Sequence, residues 1–302
     1  MEHTQMKAET TGARLPRPNT PRMATLPPGR PIVLPDRGIA FVRDAPGPAE
    51  STPVVLLHGW AATSDLNWFT SYGTLTERHR VIAMDHRGHG RGIKTSRRFR
   101  LNDCADDVAA LLDVLEIDKA IIVGYSMGGA VAQLLWRRHP SRVAGMVLCA
   151  TALSFKETAK DRMMFAAASP TAALVKAIPT SMRRNAAIRI MTGRQDRDIR
   201  QWALAEVANH RWVRVLEAGS EIGSFDSRRW IGSLDVPAAQ VLTLDDDVIT
   251  PDRQQAVGTA VPHATLHLVP GGHAAVIDTP DRFVPALARA VRTVDCSVRE
   301  SL

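Results

Sequence analysis

Short, wholly apolar runs recur along this chain, separated by helical patterns, and they constrain its fold more than any other feature. Val54-Val55-Leu56-Leu57, Val81-Ile82-Ala83-Met84, Ala120-Ile121-Ile122-Val123 and Val143 to Leu148 carry no polar residue at alternate positions. A strand with one wet face alternates; a strand buried on both faces does not. Gln240 to Leu244 and Thr265 to Val269 extend the series. Between the runs, Val108, Leu111, Leu112 and Leu115 recur at helical spacing behind a cap at Asn102 or Asp103. Gly128 to His139 reads as a helix ended by Pro140, and Pro280 to Val294 as another. Strands alternating with helices join by right-handed crossovers, so the expected class is α/β, a mostly parallel central sheet flanked by helices. Two short strands, Pro31 to Leu34 and Ile39 to Arg43, precede it, joined by Pro35, Asp36 and Gly38.

The alternation breaks between Ser154 and Ser233. That stretch has no strand run and is helix-like, with apolar Met163, Met164, Phe165, Leu174, Val175 and Ile178. Lying between two strands, it reads as an inserted helical cap on a core of residues 31–153 and 234–296. The 302 residues suit one large domain with such an insertion. Residues 1–30, rich in Pro, Thr, Arg and Gly, read as a flexible N-terminal tail with no apolar core like that of a secretory signal.

The net charge of +7 raises the question of an anionic partner. Basic residues are scattered, however, and nowhere interleaved with aromatics as a nucleic-acid groove requires, so no nucleic-acid partner is expected. The 154–233 stretch holds 14 basic against 8 acidic residues, which fits a solvated helical surface and leaves peripheral contact with acidic lipid open. No run reaches the roughly 18 apolar residues of a membrane span. Cys104, Cys149 and Cys296 make neither a disulfide framework nor metal spacing, and point to a reducing, cytoplasmic compartment.

Chemistry concentrates in Gly124-Tyr125-Ser126-Met127-Gly128-Gly129, a G-x-S-x-G pattern directly after a strand and before a helix. A nucleophilic hydroxyl must stand clear of the backbone on a sharp turn, where only small neighbours fit. Serine also needs a base. His273 in Pro270-Gly271-Gly272-His273 follows a strand, at the carboxyl edge where open α/β sheets place their sites. A carboxylate should hold its tautomer, and Asp245, Asp246 and Asp247 all follow the strand before. His58-Gly59-Trp60 closes a buried strand, and the Trp60 and Met127 amides are candidate oxyanion donors. The Trp60 side chain suits core packing and pocket lining equally. His86 and His89 lack partners at metal-ligand spacing, and no cofactor motif is found.

Taken together these residues resemble the α/β-hydrolase superfamily over Pro31 to Val294. His58-Gly59-Trp60, Asp85-His86-Arg87-Gly88-His89-Gly90, the GYSMGG turn, Leu244 to Pro251 and Gly272-His273 occur in the family's order. The resemblance assigns the acid to Asp247 through a G-x-x-D-x-x-x-P pattern ending at Pro251, with Leu244 replacing the glycine, and Gly92 stands where many relatives carry serine. It implies a catalytic triad of Ser126, His273 and Asp247, no metal or organic cofactor, and a small-molecule ester or acyl substrate. Serine esterases, non-haem haloperoxidases and carbon–carbon hydrolases are the similar branches; Ser126 argues against epoxide hydrolases and haloalkane dehalogenases, which carry aspartate there. The expected reaction is ester hydrolysis through an acyl-enzyme on a small to medium apolar substrate. A carbon–carbon hydrolase, an acyltransferase and a non-hydrolytic binder are the alternatives.

Overall fold

A computed structural model describes residues 26–157 and 197–300. Residues 1–25, and with them most of the expected tail, lie outside the described residues, as do Met163, Met164, Phe165, Leu174, Val175 and Ile178. Two strands open the fold: β1 (Gly29–Leu34) and β2 (Gly38–Ala45), followed by β3 (Val54–Leu57). Short helices α1 (Ser64–Trp68) and α2 (Tyr72–Thr76) lead to β4 (Val81–Met84). Then come α3 (Leu101–Val114), β5 (Ala120–Tyr125), α4 (Met127–Arg138) and β6 (Val143–Cys149). Helices α5 (Arg197–Ala208) and α6 (Trp212–Ser224) precede β7 (Ala238–Thr243). The chain continues through α7 (Pro251–Ala260), β8 (Thr265–Val269), α8 (Ala275–Asp278) and α9 (Pro280–Glu300).

The eight strands form one sheet in the order β1-β2-β4-β3-β5-β6-β7-β8. β1, β2 and β4 pair antiparallel, and every pair from β4·β3 to β7·β8 is parallel. The apolar runs now have a physical reason. Val55, Leu57, Ile82, Met84 and Ile122 enter one core with Val108, Leu111 and Leu112 of α3. Their neighbours Val54, Leu56, Val81, Ala83 and Ile121 enter a second core on the opposite face, with Phe283, Leu287 and Val291 of α9. Successive residues of a strand point to opposite faces, so two buried faces demand apolar residues at every position. At the edge this pressure lapses: Leu266 and Leu268 of β8 are about half exposed.

Several boundaries differ from those expected. β1 begins at Gly29, and Pro28 already accepts a hydrogen bond from the Asp44 amide at 3.1 Å, so the last residues assigned to the tail belong to the sheet. α3 begins at Leu101 behind Arg100 without a side-chain cap, so neither Asn102 nor Asp103 caps it. α9 runs on to Glu300, past the expected core limit at 296, because Val298 still packs in the second core. Among the described residues no helix is long and apolar enough to cross a membrane.

Four buried imidazoles cluster in tilted and edge-to-face contacts. His58 lies 4.3 Å from His86 and 5.5 Å from His89 between ring centroids, and His89 lies 5.5 Å from His210. Among the described residues neither ring nitrogen of His86 has a hydrogen-bond partner, and no group of His, Cys, Asp or Glu is arranged to hold a metal ion. Burial disfavours the charged form and lowers the pKa of all four, His210 to about 4. Above pH 6.5 both folded and unfolded chains hold these rings neutral. Below it the unfolded chain takes up protons that the folded chain refuses, so stability must decline as pH falls, by roughly 1 kcal/mol per pH unit for each ring until its folded pKa is reached. Urea midpoints at pH 7.5, 6.0 and 5.0 should therefore fall in that order; equal midpoints would contradict neutral burial.

Candidate active site

The turn between β5 and α4 fixes the first group. Ser126 sits at φ 54°, ψ −115°, a left-handed conformation rare for a residue with a side chain. A Cβ on Gly124 would collide with the Gly128 backbone, and one on Gly128 with the Leu57 carbonyl, so both positions must be glycine. The turn is held from β6 and the residues beyond it: the Ser126 amide donates to Cys149 O at 2.9 Å, and Thr151 Oγ1 donates to Ser126 O at 2.8 Å. Strain at one residue is thus sustained by the sheet beside it.

His273 Nε2 lies 3.0 Å from Ser126 Oγ, across 147 residues of chain. On the far side of the ring, Nδ1 lies 2.8 Å from Asp246 Oδ2. The three groups stand in one hydrogen-bonded series. The carboxylate is therefore Asp246, and the expectation of Asp247 is corrected. Asp247 is exposed, whereas Asp246 is 4% exposed. Four donors select Asp246: Thr243 Oγ1 at 2.9 Å and Gln254 Nε2 at 3.0 Å on Oδ2, and the Val248 and Ile249 amides at 2.9 and 2.8 Å on Oδ1. The chain closes a tight turn over its own aspartate, one residue earlier than the pattern ending at Pro251 places it. Burial opposes ionisation of Asp246, but the hydrogen bond and charge of His273, with the Ile249 amide and Thr243 hydroxyl, outweigh it and hold the carboxyl below its usual range.

Two residues not singled out by sequence complete the frame. Tyr125 Oη donates to the His273 carbonyl at 2.5 Å, pinning the loop that carries the ring. Buried Gln254 of α7 spans Thr243, Asp246 and Ile249. Tyr125 occupies a variable position of G-x-S-x-G, and Gln254 lies eight residues beyond the acid, so no local pattern marks either.

Beside Ser126 runs the His58-Gly59-Trp60 turn. The Gly59 amide donates to Asn67 Oδ1 at 3.0 Å, the His58 ring bonds Gly59 O at 2.7 Å, and the His86 amide donates to His58 Nε2 at 2.9 Å. An added Gly59 Cβ would lie 3.5 Å from the Ser126 Cβ, so the turn abuts the hydroxyl. Among the described residues neither the Trp60 nor the Met127 amide finds an acceptor. Asp85 of the DHRGHG stretch is wholly buried and accepts from the Ser64 amide and hydroxyl and the Arg91 amide, ordering loops instead of facing Ser126.

Comparison with known proteins agrees with this fold. The family of the alpha/beta hydrolase fold matches residues 52–280. The candidate carbamate hydrolase RutD of Variovorax paradoxus (strain S110) is 30% identical over 237 residues, covering 76% of this chain and 87% of that protein. The non-heme chloroperoxidase of Streptomyces lividans is 41% identical over 108 residues, covering 34% of this chain and 37% of that protein. The chain spans only about a quarter to two-fifths of the length of several curated relatives it matches. Among solved structures, a thermophilic esterase from Thermogutta terrifontis superposes with a TM-score of 0.75 at 22% identity, covering 89% of this chain and 99% of that one.

The aspartate assignment can be tested directly through the reactivity of Ser126. Asp246→Asn should slow fluorophosphonate labelling by about three orders of magnitude, since the wrong tautomer of His273 is then favoured. Asp247→Asn should leave the rate within about twofold, as expected of an exposed carboxylate without a role in the series. The opposite ranking would return the acid to Asp247.

Proposed function

The chain belongs to the α/β-hydrolase fold family, and within it we propose a serine hydrolase that cleaves the carboxylic ester, or a related acyl bond, of a small to medium apolar substrate. The observation that carries this reading is the unbroken series Ser126 Oγ, His273, Asp246, with contacts of 3.0 and 2.8 Å. His273 Nε2 takes the hydroxyl proton as Oγ attacks the carbonyl carbon. Asp246, kept ionised by its four donors, fixes the proton on Nδ1 and stabilises the imidazolium. The amides of Trp60 and Met127 receive the charge that develops on the carbonyl oxygen; one such donor is commonly worth about 3 kcal/mol. Collapse of the tetrahedral intermediate expels the alcohol with the proton from His273. Water, deprotonated by the same ring, then attacks the acyl-enzyme and releases the acid.

The apolar substrate class rests on the Met, Ala, Leu and Ile content of residues 154–233. A carbamate, the compound named for the RutD relatives, is also an acyl derivative open to this chemistry, and it belongs in any substrate panel. p-Nitrophenyl esters of graded chain length should be turned over, butyrate and hexanoate above acetate, and Ser126→Ala should lose at least about a thousandfold in kcat. Preference for charged acyl groups would overturn the apolar assignment, and absence of fluorophosphonate labelling in the wild type would overturn the nucleophile.

A further inference from the structure

Three of the four residues after Gly59, Trp60, Ala61 and Thr63, are each gripped from α5, α6 or the bend between them. The Trp60 indole Nε1–H donates to Val215 O of α6 at 2.6 Å, across 155 residues. One helical turn further along α6 stands Gly219, where an added Cβ would come within 2.7 Å of the Trp60 ring. His210, in the bend between α5 and α6, bonds Ala61 O through Nε2 at 2.9 Å and receives the Gly90 amide on Nδ1 at 2.7 Å. That pairing sets the tautomer, because Nδ1 must accept and Nε2 must then donate. Thr63 Oγ1 reaches Glu206 of α5 at 3.2 Å, while also capping α1 through the Leu66 amide.

Ala61 makes the arrangement more than ordinary packing. It holds φ 56°, a left-handed conformation that a residue with a Cβ adopts only under outside constraint. The group that His210 binds is the carbonyl of this strained residue, two peptide units beyond the Trp60 amide. From the core side, Gly59 and His58 of the turn are held by hydrogen bonds with Asn67 and the His86 amide.

We propose that α5, α6 and the bend between them hold the oxyanion turn in its donating geometry, with His210 and the Trp60 indole as the positioning residues, so that the packing of these helices against the turn is what places the Trp60 amide. The proposal rests on the serine-hydrolase reading above. Neither side chain touches the reacting atoms; each acts through the backbone that carries the Trp60 amide. Displacement of that amide weakens transition-state binding while ground-state binding, which does not need the hole, is spared.

The test uses the full chain, with each variant's active fraction counted by fluorophosphonate titration. His210→Ala and Trp60→Phe should each lower kcat per active site about ten- to a hundredfold with KM changed less than threefold. Affinity for a trifluoromethyl ketone, whose hemiketal oxygen occupies the hole, should fall by the same factor as kcat. His210→Gln retains a donor for Ala61 O and should recover activity above His210→Ala. Gly219→Ala, which presses on the indole, should shift kcat in the same direction as Trp60→Phe. If kcat and ketone affinity per active site stay within twofold of wild type in both His210→Ala and Trp60→Phe, the contacts only pack and the proposal fails. A wild type that the fluorophosphonate does not label would remove the hydrolase reading itself, and the proposal with it.

Discussion

One strained residue organises this molecule. Ser126 occupies a backbone conformation that a residue with a side chain adopts only when its surroundings impose it, and the sheet imposes it through Cys149 O and Thr151. The two buried faces of the sheet supply the rigidity that makes this possible, because a close-packed interior transmits strain instead of relaxing it. The turn in exchange lifts the hydroxyl clear of the backbone toward His273. The geometry explains why Gly124 and Gly128, two residues to either side, tolerate no Cβ, and why the elbow follows β5, an interior strand paired on both sides.

The same logic runs through the groups around Ser126. The polar groups at the site are fixed by other buried polar groups: the His273 ring by Asp246 and its carbonyl by Tyr125, the Asp246 carboxylate by Thr243 and Gln254, the Gly59 amide by Asn67. Buried polar groups left unpaired are costly, so a network of this kind is stable only when its members are satisfied together. The histidine cluster is a partial exception. Among the described residues His86 has both ring nitrogens unpaired, and its ring lies tilted 4.3 Å from that of His58.

Much of the fold was legible because its causes are local. A doubly buried strand writes itself as an apolar run, and a strand-turn-helix elbow writes itself as glycines around Ser126. Ser126 and His273 could be paired from sequence since each follows a strand at the same sheet edge. The choice among Asp245, Asp246 and Asp247 was not local. It depends on which carboxylate turns inward beneath the Val248 and Ile249 amides and meets Gln254, and spacing to Pro251 is blind to one extra residue in that turn. Tyr125 and Gln254 escaped for the same reason, since their partners are tertiary.

The least legible part of the sequence, residues 154–233, also supplies contacts that reach far along the chain. Val215 and His210 meet Trp60 and Ala61 across about half the polypeptide, and nothing in the composition of 154–233 announces those bonds. That is the expected outcome when two parts of a chain are joined through backbone carbonyls. A carbonyl can be supplied by any residue type, so the acceptors leave no signature, and only the donors, an indole and an imidazole, are visible as residues at all. The Trp60 side chain therefore resolves the alternative left open by its sequence: it neither fills the core alone nor merely faces a pocket, but ties the loop beside the nucleophile to α6. Under the proposed reading, a loop that presents one amide to a developing charge cannot rely on its own short chain for rigidity, and here the constraint arrives from residues 149 and 155 positions further along the chain.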